Sequence, residues 1–404
     1  MSDAPVLLME GPRSVGKSTL LREVAKARNG RVLDLDDPAT REAVAADPAL
    51  FISGEQLVCI DEYQKVPSVL DAIKAELNKG ASPGRFVLTG SARHDALPLA
   101  AQALTGRLTR IPIYPLSQGE LAATHEDFLE RVLIDPLSAI SSTPSVTTRS
   151  DYIARISKGG FPLALAAATE NARRRWFDDY LELTLSRDVR ELAQLRQGQK
   201  LEALLGRLAG QTGLVLNIEK TASAVQLTQP TAESYVTLLE KVFLVYRLEA
   251  WGKTLTSRSS SRAKIHVLDA GVAARLLRLT PEKLAMLNST SLTEFGHLVE
   301  TFAVAELLKQ VSWLDDVAGV GHWRTHDGDE VDLVIERDDG GVVGFEMKAA
   351  ARVDGAQLKG LRKLRQALGD NFVGGFAMYL GERSYTHEDR IHVMPLDRLW
   401  TPIV

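Results

Sequence analysis

Residues 11–18 read Gly11-Pro12-Arg13-Ser14-Val15-Gly16-Lys17-Ser18, followed by Thr19. The spacing G-x-x-x-x-G-K-S carries a mechanism for holding a polyphosphate. Gly11 and Gly16 let the backbone curl until its N–H groups face anionic oxygens, and Lys17 adds a point charge toward the β and γ phosphates. The Ser18 hydroxyl is placed to ligate Mg2+, and a helix starting there aims its positive end at the same charge. The flanks agree with this chemistry. Pro5–Glu10 (PVLLME) reads as a buried strand, and TLLREVAKAR reads as a helix with Leu20, Leu21 and Val24 on one face. Strand, loop and helix in this order predict a nucleoside triphosphate held with Mg2+ across Gly11–Thr19.

A second run, Leu57-Val58-Cys59-Ile60-Asp61-Glu62, places two acids after four apolar residues. It resembles a Walker B motif, in which Asp61 would hold Mg2+ through water or Ser18 and Glu62 would orient and deprotonate the attacking water. One acid alone is explained by helix capping; the pair, behind a phosphate loop, points to hydrolysis. Phe86-Val87-Leu88-Thr89-Gly90-Ser91 ends in hydroxyls. By resemblance to AAA-type ATPases Thr89 or Ser91 is a sensor of the γ-phosphate or lytic water, with turn capping as the simpler alternative. Arg107, in Leu104-Thr105-Gly106-Arg107, reads equally as an arginine finger, in cis or from a neighbouring copy, and as a surface arginine. Asn78-Lys79-Gly80-Ala81 lacks the acid that a guanine-reading Asn-Lys-x-Asp needs, so ATP is the expected nucleotide.

Further strand-like runs at Arg31–Asp36, Gln56–Asp61, Arg85–Thr89 and Thr109–Pro115 alternate with helical stretches at Pro38–Ala49 and Ser68–Asn78. Alternation of this kind predicts an α/β fold, a doubly wound parallel sheet of the P-loop NTPase type, with ligands at the carboxyl ends of the strands. The whole chain, 404 residues, exceeds one core. The expected division is 1–135 for the ATPase domain, 136–280 for a helical middle and 281–404 for a C-terminal α/β domain. With 45% hydrophobic and 25% charged residues and a net charge of −4, the composition is that of an ordinary soluble protein. No apolar run reaches the roughly 18 residues a membrane span needs, and no signal segment is evident at the N-terminus, so the expectation is cytoplasmic with no membrane partner. The single cysteine, Cys59, excludes a disulfide framework or a cysteine-based metal site.

Asp135–Asp151 (DPLSAISSTPSVTTRSD) reads as a linker. Beyond it, Arg173-Arg174-Arg175 is mostly neutralised by Asp178, Asp179 and Glu182 and reads as a solvated helix face. Leu201–Leu248 has the rhythm of a winged helix-turn-helix. Helices at Leu201–Thr212 and Thr221–Val225 precede a turn and a recognition-type helix at Thr231–Lys241, with wing strands at Phe243–Ala250 and Lys264–Leu268. From Trp251 to Arg278 six Lys or Arg face one acid, Asp269, which suits phosphate contacts. Against base reading, the recognition-type helix carries Glu233 and Glu240. A protein-contact role therefore stays open.

After Thr280 the expected order is helix (Glu294–Gln310), strand (Gly321–Thr325), hairpin strands (Glu330–Glu336 and Val342–Lys348), helix (Gly355–Leu368) and strand (Phe372–Leu380). Glu346 and Lys348 share a strand face, Asp332 lies on the facing strand, and Glu300 on the helix before can close the set. Asp…Glu-x-Lys in this element order resembles the PD-(D/E)xK nuclease fold, without its name-giving proline, since Val331 stands there. The resemblance implies that the acids hold Mg2+ and that Lys348 activates water, with Gln357 matching a position where some members carry glutamine. Arg352, Lys359, Arg362, Lys363 and Arg365 against Asp354 make the following helix basic, as a phosphate backbone requires. The alternative is a retained ion cluster on an inert scaffold.

Taken together, GPRSVGKSTLL, LVCIDEYQKVP, RFVLTGSA, LTGRL with YPLSQGEL, GGFP, Leu185-Ser186-Arg187-Asp188, VLDAGVAARLL, GHLVETFAVAEL and EVDLVIE…FEMKA resemble a group of prokaryotic ATPases. Its members join an AAA-type domain to a C-terminal region of unknown function. The resemblance implies ATP and Mg2+ as cofactors and leaves the substrate undefined. The expectation is an ATPase coupled to nucleic acid, DNA favoured over RNA. The competing expectation is a switch acting on protein partners, and either leaves room for a homo-oligomer.

Overall fold

Strand β1 (Val6–Glu10) is apolar at every position but its last, as a strand covered on both faces must be. It lies between β4 (Phe86–Gly90) and β5 (Leu108–Pro112), parallel to both. With β2 (Arg31–Asp34) and β3 (Val58–Asp61) it forms a five-stranded sheet of order β2-β3-β4-β1-β5. Alternate side chains of β1 feed two cores. Leu7 and Met9 pack with Leu21 and Ala25 of the helix Lys17–Ala27, whereas Val6 and Leu8 join Val69, Ile73 and Leu88 on the other face. Cys59 lies in the first of these cores, where burial pushes its thiol up to about 11 and keeps it inert. The computed structural model describes the chain apart from residues 1–3, 81, 92–103, 105, 193–197, 253–261 and 403–404. Ala81, Thr105 and most of the basic serine-rich loop therefore lie outside the described residues.

Several local expectations shift. Leu20 is exposed, whereas Leu21 and Val24 pack toward the sheet as expected, joined by Ala25. The helix foreseen at Pro38–Ala49 breaks in two, Pro38–Ala46 and Pro48–Ile52, because Asp47 precedes a proline and leaves the helical region; its carboxylate then caps the Leu50 N–H at 3.1 Å.

The chain forms two compact units. One comprises Met1–Pro115 with Ser186–Gln194 and Lys241–Phe243; the other comprises Leu116–Leu185, Leu195–Glu240 and Leu244–Val404. In the second unit, helices Gly198–Ala209, Ile218–Ala224 and Gln229–Lys241 up to Glu240 accompany a small sheet of order β6-β8-β7, made of β6 (Leu214–Val215), β7 (Val245–Leu248) and β8 (Lys264–Val267). A larger sheet has the order β13-β14-β12-β11-β10-β9. Its strands are β9 (Val317–Arg324), β10 (Glu330–Arg337), β11 (Val342–Lys348), β12 (Phe372–Tyr379), β13 (Tyr385–Glu388) and β14 (Ile391–Pro395). β9, β10 and β11 run antiparallel as neighbours, and β12 is parallel to both β11 and β14. Helix Ser289–Val311 and the amphipathic helix Lys359–Leu368 pack on this sheet, the latter through Leu361, Leu364 and Leu368.

The segment read as a linker is part of this second unit. Ser145 and Thr147 donate to the buried Asp397 carboxylate at 2.5 and 2.7 Å, and the Arg398 guanidinium reaches the Thr143 carbonyl. Arg173, read as solvated, is nearly buried and donates to the Ala164 carbonyl at 3.1 Å. No helix among the described residues is long and apolar enough to cross a membrane.

Gly360 marks the closest packing of helix on sheet, since a Cβ there would lie 2.0 Å from the Glu330 carbonyl oxygen. Gly360→Ala should destabilise the protein by about 2 kcal/mol or more in chemical unfolding. Gly206→Ala, in a helix with open space around it, should be neutral or stabilise by up to about 1 kcal/mol. Equal effects at the two positions would refute this packing.

Candidate functional site

The loop after β1 turns through Gly16 at φ 101°, a left-handed conformation open to glycine. Gly11 passes the chain after β5 so closely that a Cβ would lie 2.1 Å from the Ile113 carbonyl oxygen. Lys17, only 5% exposed, donates from Nζ to the carbonyls of Gly11 and Pro12 at 2.8 and 2.7 Å. Burial pushes its pKa down to about 8, although Glu62 and Asp61 pull the other way. Ser18 lies in the first turn of the helix Lys17–Ala27, while Ser14 and Thr19 are exposed and Val15 is buried under the loop.

β4 lies between the loop strand β1 and the acid-bearing β3. Its register sets Ile60 beside Leu88, which brings Asp61 next to Thr89. The Thr89 hydroxyl donates to Asp61 Oδ1 and accepts the Glu62 N–H at 3.0 Å. Ser91 Oγ donates to Glu62 Oε2 at 3.2 Å, and the Gln64 amide contacts both Ser91 Oγ (3.2 Å) and Glu62 Oε2. Asp61, Glu62, Thr89 and Ser91 are all buried. Glu62 itself has φ 53°, a backbone cost of about 1–3 kcal/mol that marks a position held by its surroundings. The structure therefore brings the two acids and the two hydroxyls together. It adds Gln64, which sequence reasoning missed, although it stands two residues after the Asp-Glu pair. Fully buried Thr89 orients Asp61 and the Glu62 backbone.

Arg107 is not brought to its own loop. Its carbonyl accepts the Val6 N–H at 3.3 Å, at the start of β1, and its guanidinium donates to Asn78 Oδ1 at 2.8 Å on the surface. The phosphate loop leaves the other end of that strand, about 16 Å away. A finger acting in cis is thereby removed. Arg13 is the arginine that the loop itself carries: its Nε donates to Asp188 Oδ2 at 2.6 Å.

Residues 3–122 match the family model described as AAA domain, and residues 149–283 and 295–399 match two domains of unknown function (DUF8612 and DUF4143). The N-terminal domain is of the P-loop AAA type. Uncharacterized proteins of Mycobacterium tuberculosis and Mycobacterium bovis are 28% identical over 402 residues, 98% of this chain and 81% of each relative. An uncharacterized protein of Haemophilus influenzae is 26% identical over 222 residues, 53% of this chain and 50% of its own. Among solved structures, a point variant of Thermotoga maritima RuvB aligns with 60% of this chain and 81% of its own at 17% identity. Its TM-score of 0.26 is too low to carry an argument.

The second charged constellation lies in the C-terminal sheet. Asp332 on β10, Glu346 and Lys348 on β11 and Glu300 on the long helix do converge, but around a cation that sequence reasoning had assigned to a wing. Lys264 of β8, 1% exposed, donates to Glu300 Oε1 and Asp332 Oδ1, both at 2.8 Å. Asp332 Oδ2 accepts the Met347 N–H at 2.8 Å, and Lys348 donates to Glu346 Oε1 at 2.6 Å. Burial opposes it, yet Lys264 holds Asp332 ionised below the usual carboxylate range. Burial, then the Asp332 charge, push Glu346 up to about 8 and Glu300 well above its ordinary value. Both Asp332 oxygens are engaged, the ammonium stands between the acids, and no three metal-binding side chains among the described residues converge on a cation position. The cluster does not fit the Mg2+ that the nuclease resemblance implied. Gln357 stays apart, its side chain accepting the Asp354 N–H at 3.0 Å in a capping box. All four basic side chains of the helix Lys359–Leu368 are tied to neighbouring acids, Lys359 and Lys363 to Asp329 and Arg362 and Arg365 to Glu388.

Glu346 binds its proton more tightly folded than unfolded, so its contribution to stability is full below about pH 4.5 and is lost as pH rises toward 8. Glu346→Gln should therefore flatten the decline in melting temperature over that interval. A decline of unchanged slope in the variant would show that the carboxyl is ionised throughout.

Proposed function

We infer that this protein is a Mg2+-dependent ATPase whose nucleotide state is read by the rest of the chain. The observation that carries the reading is the geometry of the loop around Lys17. Its buried ammonium is turned back onto the Gly11 and Pro12 carbonyls at 2.8 and 2.7 Å, and burial lowers its pKa against the pull of Glu62 and Asp61. A polyphosphate at the loop would add anionic oxygens beside that ammonium. Ser18 and Asp61 are the residues that would hold Mg2+, whose chemistry is to neutralise phosphate charge. Glu62, oriented by Ser91 and Gln64, accepts the proton of the attacking water as oxygen bonds to the γ-phosphorus and the bond to the bridging oxygen breaks.

For the coupled process, the helices Gly198–Ala209, Ile218–Ala224 and Gln229–Lys241 with the β6-β8-β7 sheet support a winged-helix reading and hence nucleic acid, DNA before RNA. The acids that spoke against it, Glu233 and Glu240, are paired with Arg247 at 2.5 and 2.8 Å, which removes part of their repulsion toward phosphate. Lys264 favours the second reading for the C-terminal domain, an inert scaffold in a switch that contacts proteins. A nuclease step is not part of this proposal.

Lys17→Ala should abolish ATP binding, and Glu62→Gln should retain binding while lowering turnover about a hundredfold or more. ATP binding near pH 8 should take up about half a proton as Lys17 regains its charge, seen by calorimetry in buffers of different ionisation enthalpy. Undiminished turnover in Glu62→Gln would sink the assignment of the base. A gel shift with duplex DNA and RNA at low salt tests the coupled process: binding that weakens steeply with salt supports nucleic acid, and no binding to either leaves the protein-switch reading.

A further inference from the structure

Asp188 is a buried charge that the nucleotide chemistry does not use. Its side chain is 8% exposed, and it receives Arg13 Nε at 2.6 Å from the middle of the phosphate loop. The carboxylate stands at the end of a π-helical turn, Thr184–Asp188, in which the Thr184 hydroxyl donates to the Tyr180 carbonyl at 2.8 Å. Such single π turns are rare and concentrate at functional positions. The segment 186–192 belongs to the same compact unit as the phosphate loop. Asp188 is thus delivered to the loop by a short excursion of chain whose irregular turn sets its position. Its charge is felt at Lys17, together with those of Glu62, Arg13 and Asp61.

We propose that Asp188 is a positioning residue of the nucleotide site, an internal anion that holds Arg13 and yields it to the phosphates of ATP. The inference rests on the nucleotide reading of the loop and adds its regulation. An arriving triphosphate offers Arg13 a second anion and brings like charge toward a buried carboxylate, so both effects act against the Arg13–Asp188 pair. Nucleotide binding is then linked to release of Asp188, and with it to the π turn that carries it. By reciprocity, anything that pulls Asp188 away from Arg13 tightens the hold on ATP.

The test is the ATP dissociation constant of the full-length protein, measured in a thermodynamic cycle. Asp188→Asn should bind Mg-ATP about fivefold more tightly or better, and Arg13→Met should bind it more weakly. In the Arg13→Met background, Asp188→Asn should change affinity by less than about twofold, because the effect passes through Arg13. A purely structural role for the pair predicts the opposite sign, since a loosened loop binds worse. Weaker or unchanged binding in Asp188→Asn overturns the proposal, as does tightening that survives without Arg13. Asp188→Ser is measured in parallel in case the Asn variant does not fold, and Asp188→Glu should return affinity toward the wild-type value. The wild-type protein and Lys17→Ala separate the two levels: no ATP binding by wild type means that the nucleotide reading itself has failed, whereas binding by wild type that Lys17→Ala abolishes leaves the Asp188 outcome to decide this proposal.

Discussion

A charge taken out of water must find a partner, and that constraint organises both halves of this molecule. Lys17 and Lys264 are both buried ammonium groups, yet they meet the constraint in opposite ways. Lys17 has carbonyl oxygens for hydrogen-bond partners, and its pKa falls. Lys264 has Asp332 and Glu300 within 2.8 Å, and its pKa rises. The first ammonium bonds to carbonyl dipoles and feels the Glu62 and Asp61 charges, whereas the second is bonded directly to two carboxylates. The same elementary chemistry thus yields a loop lysine lowered by burial in the AAA domain and a closed ion cluster in the C-terminal sheet.

What makes the first arrangement tolerable is the parallel sheet around it. β4, inserted between the loop strand and the acid strand, puts Thr89 where one hydroxyl serves Asp61 and the Glu62 backbone together. Ser91 and Gln64 then restrain the Glu62 carboxylate, and the left-handed Glu62 backbone is held by these contacts. Orientation of the acid is therefore built in before any nucleotide arrives, the condition under which preorganised groups are effective. The Arg13–Asp188 pair adds a second carboxylate from a distant part of the sequence to the same loop.

Residues 11–18 and 57–62 were legible in the sequence as a phosphate-loop pattern and an acid-tipped strand, because both are local patterns in which neighbours in the chain do the work. The order of strands and helices declared a parallel sheet for the same reason. The hairpin carrying Asp332, Glu346 and Lys348 was also legible, from alternation and its Asp-Gly-Gly turn. β13 and β14 were not. Their runs are four and five residues long, and β14 carries His392, so no periodic signal rises above the surrounding loops, although β14 is fully buried.

Sequence alone determined which residues are capable of phosphate and water chemistry, since capability belongs to residue type and short-range spacing. Tertiary structure decided which of them act together. It moved Arg107 to the far end of its strand, placed Lys264 between two acids drawn from a helix and another strand, and carried Asp188 to Arg13 across 175 positions of chain. The physical reason is that electrostatic partnership depends on distance through space and on the exclusion of water, and neither is encoded in separation along the chain.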